Sequence, residues 1–397
     1  MKILFVTPYF PYPSVAHAGG VYTFRMIQGL AEHGHAVTLL SLVTEEEARH
    51  LAPMKAICSR VVTIPTDPHW RHAVQYLPRH LLAPATFPGW HPKLAAVLQN
   101  LVAQETFDVV QLNWSELGQY VGLLKQKSAT VLCAIDVLST TLERDWANEK
   151  DFVRKLWLSW YAKDAKRYEK KIYPQIDHII TLSQKDHDYL MNHIRQVQAS
   201  VLLPGVDETL LQLPLQLHES KDIVFVGHMQ RPFNVSAVLW FYHQVFPYVR
   251  QQVPAARLVV VGADPPDTIR SLAKDPGVVV TGAVERIEDF YASSRLAIVP
   301  LFVGGGIIKK AIDALAAGCP IVTTRIGVEG LAVRDEQEVL LADDATAFGH
   351  AVVRLLQDDT LWMHLARAGR ACVLRQHHWP STIAALEAIY QKVCDRA

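Results

Sequence analysis

The sequence predicts an α/β protein of two Rossmann-like domains facing one another across a cleft, and three observations carry that prediction. Thirteen short β-branched runs alternate with helical stretches, the pattern of parallel sheets covered on both faces. So many strands overfill one ordinary sheet and suit two. A break around Leu203-Pro204-Gly205-Val206-Asp207, followed by the weakly patterned Leu210–Ser220, divides the runs into two series.

The first series comprises Ile3–Val6, Val37–Leu42, Val61–Pro65, Val109–Leu112, Val131–Ile135, His178–Leu182 and Val201–Leu203. The second comprises Ile223–Val226, Leu258–Val261, Val278–Thr281, Leu296–Pro300, Ile321–Thr324 and Val339–Leu341. Domains are expected at 1–205 and 206–375, with a helical segment at 376–397. Thr44-Glu45-Glu46-Glu47 and Ser183-Gln184-Lys185-Asp186 read as capping boxes that open helices. Asp186-His187-Asp188 superficially resembles a metal-binding carboxylate pair, but Ser183 placed to cap favours the structural reading, and no metal is assigned.

Composition narrows the function. With 397 residues, half of them hydrophobic and a fifth charged, the chain is neither disordered nor collagen-like. Lys plus Arg and Asp plus Glu are 39 each, so no net charge argues for a polyanionic partner, and nucleic acid is disfavoured. The apolar run at the amino terminus is too short for a signal-peptide core, and no membrane-spanning run occurs. Five cysteines without CxxC spacing fit reduced thiols in the cytoplasm and no structural zinc.

Two glycine-bearing loops carry the chemistry. The first, Thr7 to Ser14 and then His17-Ala18-Gly19-Gly20, precedes an amphipathic helix from Val21 to His33. It lacks the compact glycine turn of a dinucleotide site, which disfavours nicotinamide and flavin cofactors. Gly19 and Gly20 could let an anion approach backbone N–H groups, or could form a structural turn. The second loop, from Val299 through Gly304-Gly305-Gly306-Ile307-Ile308-Lys309-Lys310 to Asp313, Gly318 and Pro320, ends a strand, opens the backbone and starts a helix. Lys310 could meet phosphate oxygens there, and the Asp313 carboxylate could accept two ribose hydroxyls. An ordinary i,i+3 surface pair on a plain loop is equally compatible with the spacing.

This second stretch resembles the nucleotide-sugar signature of family 4 glycosyltransferases of the GT-B fold, and Arg325-Ile326-Gly327-Val328-Glu329-Gly330-Leu331 continues it. The resemblance is collinear over nearly the whole chain, through Gly19-Gly20, Ser183–Leu190, Pro204-Gly205-Val206-Asp207 and Phe225-Val226-Gly227. It implies that Gly19 and Gly20 approach the donor phosphates, and that Gly304, Gly305, Gly306, Ile307 and Lys310 hold the diphosphate and sugar. Arg231 would neutralise the leaving diphosphate, Asp313 would grip the ribose, and Gly282 and Val284 would contact the base. The implied activity is retaining, metal-independent transfer from a nucleotide diphosphate sugar, the co-substrate, to a saccharide or lipid-linked hydroxyl acceptor in polysaccharide or glycolipid synthesis. No other cofactor is implied, and the last helix is expected to return to the first domain.

The chain departs from the family pattern at four places: Asp313 replaces Glu, Gly305 an acid, Ile308 an Arg and Asn113 a His. These departures keep a noncatalytic nucleotide-sugar-binding partner protein as an alternative, beside a nucleotide-sugar epimerase. Asn113, Glu116 and Asp136 are the acceptor-side polar residues, the last two also readable as loop or cap residues. Finally, 152–173 mixes Trp157, Trp160 and Tyr161 with Lys155, Lys163, Lys166, Arg167, Lys170 and Lys171. This composition suits peripheral contact with the inner membrane face, or a helix that packs its aromatics inward.

Overall fold

The computed structural model describes residues 1–396 apart from 14, 16, 17, 67–89, 125–127, 150, 218 and 304–307. The chain divides into two compact units, 1–204 with 379–397 and 205–378. Unit 1 holds β1 (Lys2–Thr7), β2 (Ala36–Val43), β3 (Arg60–Pro65), β4 (Val109–Asn113), β5 (Ala129–Ala134), β6 (His178–Thr181) and β7 (Ala199–Val201). They form one parallel sheet in the order β3-β2-β1-β4-β5-β6-β7. The expected Val201–Leu203 strand lies two residues earlier because it must pair with the short β6, from Ile179↔Ala199 to Thr181↔Val201.

The helices of this unit include α1 (Ala18–Glu32), α2 (Pro92–Gln104), α3 (Leu138–Asn148), α4 (Phe152–Ile172) and α5 (Gln184–His193). Alternation along β1 sends Ile3 and Phe5 into one apolar layer with α1, and Leu4 and Val6 into the opposite layer with α2. The first capping box forms, Thr44 and Glu47 exchanging N–H bonds; at the second, Ser183 Oγ caps by accepting from the Asp186 N–H (3.1 Å) and donates to its carboxylate (2.7 Å). Asp188 is held by Gln184 (2.7 Å) and His187 (3.1 Å).

Unit 2 holds β8 (Asp222–Val226), β9 (Arg257–Val261), β10 (Val278–Gly282), β11 (Leu296–Val299), β12 (Ile321–Thr323) and β13 (Leu340–Leu341), all parallel in the order β10-β9-β8-β11-β12-β13. Its helices include α6 (Pro232–Trp240), α7 (Lys309–Ala316), α8 (Ala345–Gln357) and α9 (Asp359–Gln376). The loops after β8 and β9 touch at two glycines, where a Cβ on Gly262 would lie 1.9 Å from the Gly227 carbonyl oxygen.

The final helix, α10 (Trp379–Cys394), packs against α1 in unit 1. Gly29 permits the approach, since a Cβ there would meet Ile383 at 2.5 Å. Ile383, Leu386 and Tyr390 join the layer of Ile3 and Phe5, each burial worth about 1.5–3 kcal/mol. No described helix is long and apolar enough to cross a membrane.

Each sheet reverses its strand order once, between β1 and β4 in unit 1 and between β8 and β11 in unit 2. Such switch points open a crevice beyond the carboxyl ends of the strands, where ligands of open α/β sheets bind. The site residues are therefore sought after β1, β4, β8 and β11.

Candidate functional site

At the unit 2 switch point, β11 leads into α7 and β8 leads into α6. Lys310, in the first turn of α7, extends its ammonium back to β8, 4.1 Å from the centre of the Phe225 ring. Its Nζ donates to Asn234 Oδ1, while Asn234 Nδ2 donates to the His228 carbonyl (2.8 Å). A Cβ on Gly227 would sit 2.7 Å from that ammonium, so glycine there makes room for the cation. Burial lowers the Lys310 pKa to about 7, and among the described residues no carboxylate is paired with it. A desolvated cation without an anion is a site prepared for one. The amino terminus of α7 adds to this, because its capping position, Ile308, contributes no side-chain hydrogen bond to the first N–H groups.

Asp313 is buried on α7, and both its oxygens accept from Lys309 Nζ (2.8 and 2.6 Å). The ion pair therefore runs i,i+4 from Lys309, which replaces the expected i,i+3 pair with Lys310. Burial raises the Asp313 pKa against the pull of Lys309, with the charges of Asp207 and Glu288 acting in the same direction as burial. Helix α7 ends at Gly318, in the left-handed region at φ 70°, as the Gly318 and Pro320 punctuation predicts. Arg231 occupies the capping position of α6 and is exposed, without an ion pair among the described residues. Gly282 turns the chain at φ 73°; its carbonyl already accepts from the Gly262 N–H (3.0 Å) and the Thr281 hydroxyl (3.0 Å), and Val284 is half-buried. Gly304, Gly305, Gly306 and Ile307 lie outside the described residues.

Unit 1 places its expected glycines and Asn113 in the packed interior. Gly19 and Gly20 are buried in the first turn of α1, and a Cβ on Gly19 would meet the Trp114 ring at 2.7 Å. Gly19 thus admits an indole to the helix end, a packing requirement that the glycine pair did not disclose. Asn113 does not face an acceptor. It is fully buried, accepting from Gln111 Nε2 (2.7 Å) and donating to Thr23 Oγ1 (3.1 Å). Tyr390 donates to Gln111 and Thr23 donates to the Gly19 carbonyl (2.8 Å), so a continuous polar chain ties α10 through β4 to the start of α1.

Glu116 and Asp136 do come together. They line a cavity of about 690 Å³ whose apolar walls include Trp114, Leu142, Trp157 and Tyr161. Tyr9 stands against Trp114 at 4.7 Å, and Trp157 stacks on Tyr161 at 5.0 Å. Trp114 follows β4 with φ 85°, a backbone region costly for a bulky residue, and lines the cavity. Burial raises the Glu116 carboxyl to about 7, helped by the Asp136 charge, and desolvation also raises Asp136, exposed at the lip. Rings beside carboxyls form a surface suited to a hydroxyl-rich ligand, with apolar faces against rings and hydroxyls on oxygens.

Two parallel, doubly wound sheets, one carrying at its switch point a half-buried cation with no carboxylate partner among the described residues, define a protein of the GT-B glycosyltransferase class. The chain belongs to the glycosyltransferases: residues 19–210 match Glycosyltransferase Family 4 and residues 220–358 match Glycosyl transferases group 1. It transfers sugar from a nucleotide sugar. It is 22% identical over 376 residues, 89% of this chain and 90% of the relative, to an uncharacterised 44.6 kDa protein of the cps region of Klebsiella pneumoniae. It is 24% identical over 412 residues, 95% of this chain and 93% of the relative, to D-inositol 3-phosphate glycosyltransferase of Corynebacterium glutamicum. In structure it matches Anabaena HepE in complex with UDP at a TM-score of 0.69 and 13% identity, over 99% of this chain and all of that one.

Proposed function

We propose that the protein is a retaining, metal-independent transferase that moves a hexosyl group from a nucleotide diphosphate sugar to a hydroxyl of a saccharide or lipid-linked acceptor. The observation that carries this reading is the Lys310 ammonium, desolvated at the unit 2 switch point without a carboxylate partner among the described residues. A diphosphate supplies the missing negative charge, and its charge grows as the sugar–phosphate bond breaks. Lys310, Arg231 and the amino terminus of α7 stabilise that growing charge. No further cofactor takes part in this scheme. Asp313, held by Lys309, accepts the ribose hydroxyls; Glu116 and Asp136 accept hydroxyls of the acceptor. The resemblance to family 4 supports retention, and the printed UDP of HepE supports a diphosphate nucleotide. The resemblance to family 4 supports polysaccharide or glycolipid synthesis, and the cysteine pattern supports a cytoplasmic enzyme.

The test is a thermal-shift panel of UDP, GDP, ADP and TDP, with magnesium or with chelator, on wild type and Asp313→Ala. A rise with one nucleotide that survives chelation and is lost in the variant is expected. No shift with any nucleotide overturns the donor site and favours the noncatalytic partner. Product from the chosen donor should keep the donor's anomeric configuration by NMR, and inversion would refute retention.

A further inference from the structure

The acceptor cavity of unit 1 is unbalanced in charge. Among the described residues, the carboxylates of Glu116, Asp136, Asp145 and Asp151 line it against the single guanidinium of Arg154. That guanidinium is already paired, its Nε lying 3.0 Å from Glu149 Oε2. Asp151 caps α4 by accepting from the Arg154 N–H (2.7 Å), whereas Glu116, Asp136 and Asp145 have no ion pair among the described residues. The carboxylates repel one another: Asp136, raised first by desolvation, is raised further by the charges of Asp186 and Asp145 against the pull of Arg144. Such crowding would suit a metal ion if the groups converged, but among the described residues no three His, Cys, Asp or Glu side chains are placed to hold one. The negative charge is instead spread round a cavity of about 690 Å³ whose other walls are rings, Tyr9 beside Trp114 and Trp157 stacked on Tyr161.

We infer that the acceptor is an amino sugar or a related polyol amine, bound with its protonated nitrogen among these carboxylates and its apolar face on the rings. Electrostatics selects that class. An ammonium offsets the repulsion between the carboxylates, and the faces of tryptophan and tyrosine attract it further. A neutral sugar leaves the repulsion standing. A phosphorylated or uronic acid acceptor adds to it, since the one guanidinium of the lining is already paired. The group that receives the sugar is still a hydroxyl, because a protonated nitrogen has no lone pair with which to attack; the ammonium binds and orients. The inference rests on the reading of this cavity as the acceptor site, and adds the charge of what enters it.

The experiment is a titration of the full chain with glucosamine, glucose, N-acetylglucosamine and glucuronate, read by tryptophan fluorescence and ligand-observed NMR at neutral pH and low ionic strength. Glucosamine is expected to bind about tenfold more tightly than glucose or N-acetylglucosamine, and glucuronate most weakly, with the spread narrowing as salt is added. Asp136→Asn with Asp145→Asn, at two exposed positions, should shrink the glucosamine preference to within about twofold, while Asp145→Glu, which keeps the charge, should preserve it. The nucleotide thermal shift reports unit 2 and should be the same in these variants, which shows that they are folded. Equal affinity for glucosamine and glucose, a preference for glucuronate, or no binding by any of the four would overturn the inference. Trp114→Ala separates it from the reading beneath it. Sugars that bind without preference but weaken in that variant keep the acceptor site and lose its charge, whereas a preference untouched by Trp114→Ala removes both the site and the inference.

Discussion

The two units share a sheet topology and place their functional residues at the same point of it, yet the sites differ in kind. Unit 2 is built round one charge: Lys310 held by Phe225 and Asn234, with space made by Gly227. Unit 1 is built round ring surfaces, with two carboxyls at the edge of a mainly apolar cavity. The fold supplies a crevice in each unit, and the proposed function gives the charge of unit 2 to a phosphate and the rings of unit 1 to a sugar. Changes to one unit should therefore leave the ligand of the other untouched, which gives the comparison its sharpest tests.

The largest effect is expected from Lys310→Ala. Losing the cation that meets the leaving diphosphate should lower kcat by about 10²–10³-fold. The fold should not suffer, because the folded pKa of about 7 lies below the ordinary lysine value of about 10.4. The unfolded chain then binds more protons between those values, so the lysine costs stability in full below about pH 7, and less as pH rises toward 10. Lys310→Met should accordingly melt higher than wild type at neutral pH and converge with it in alkali. A fall in melting temperature at neutral pH would show that the ammonium is a structural element and break the contrast between the units. Next in size is Gly262→Ala. A methyl 1.9 Å from the Gly227 oxygen forces apart the loop that seats Lys310, at a cost of about 3 kcal/mol. Denaturant unfolding should show that loss together with weaker nucleotide binding.

These residues were not equally legible. Parallel strands buried on both faces read as unbroken apolar runs, which is why Leu258–Val261 stands out, whereas β7, three half-buried residues, is located only by its partner. Lys310 is announced by glycines before a helix, but Asn234 and Phe225 lie 76 and more residues away and reach it only through the sheet. Lys309 could have been chosen over Lys310 as the partner of Asp313 from its i,i+4 spacing. Asn113 drew notice because it stands where the family places a His, while its position between Gln111 and Thr23 is a tertiary fact. Trp114 gave no signal, since neither its positive φ nor its place beside Gly19 is written in the residue type.

Trp114→Ala tests the other side of the comparison. Removing a ring that stacks a sugar should raise the KM for acceptor about tenfold, near 1.4 kcal/mol, and leave the nucleotide shift unchanged. If nucleotide binding fell instead, the ring would belong with the donor and the division of labour would be wrong.

The smallest effect discriminates most finely, because it asks what the two carboxyls held up to about 7 in unit 1 are for. Glu169 is buried, with its oxygens accepting from the Ser139 N–H (2.9 Å) and hydroxyl (2.6 Å), so it fastens the start of α3. Glutamine there must give up one of those acceptors but also sheds the ionisation, so Glu169→Gln should destabilise the protein most near pH 4 and progressively less as pH rises to 7. Glu116 is desolvated at the cavity, where its carboxyl is tied to its own backbone N–H. Its folded pKa of about 7 exceeds the ordinary glutamate value of about 4.3, so the native state binds more protons between them and loses stability as pH rises through that window. Glu116→Gln removes the ionisation, so it should match wild type near pH 4 and melt about 2–4 °C higher above pH 7, an effect of the order of 1 kcal/mol after allowing for partial exposure. A carboxylate kept at a stability cost where glutamine would cost nothing is one retained for a ligand; equal melting temperatures across the range would instead make Glu116 an ordinary surface acid.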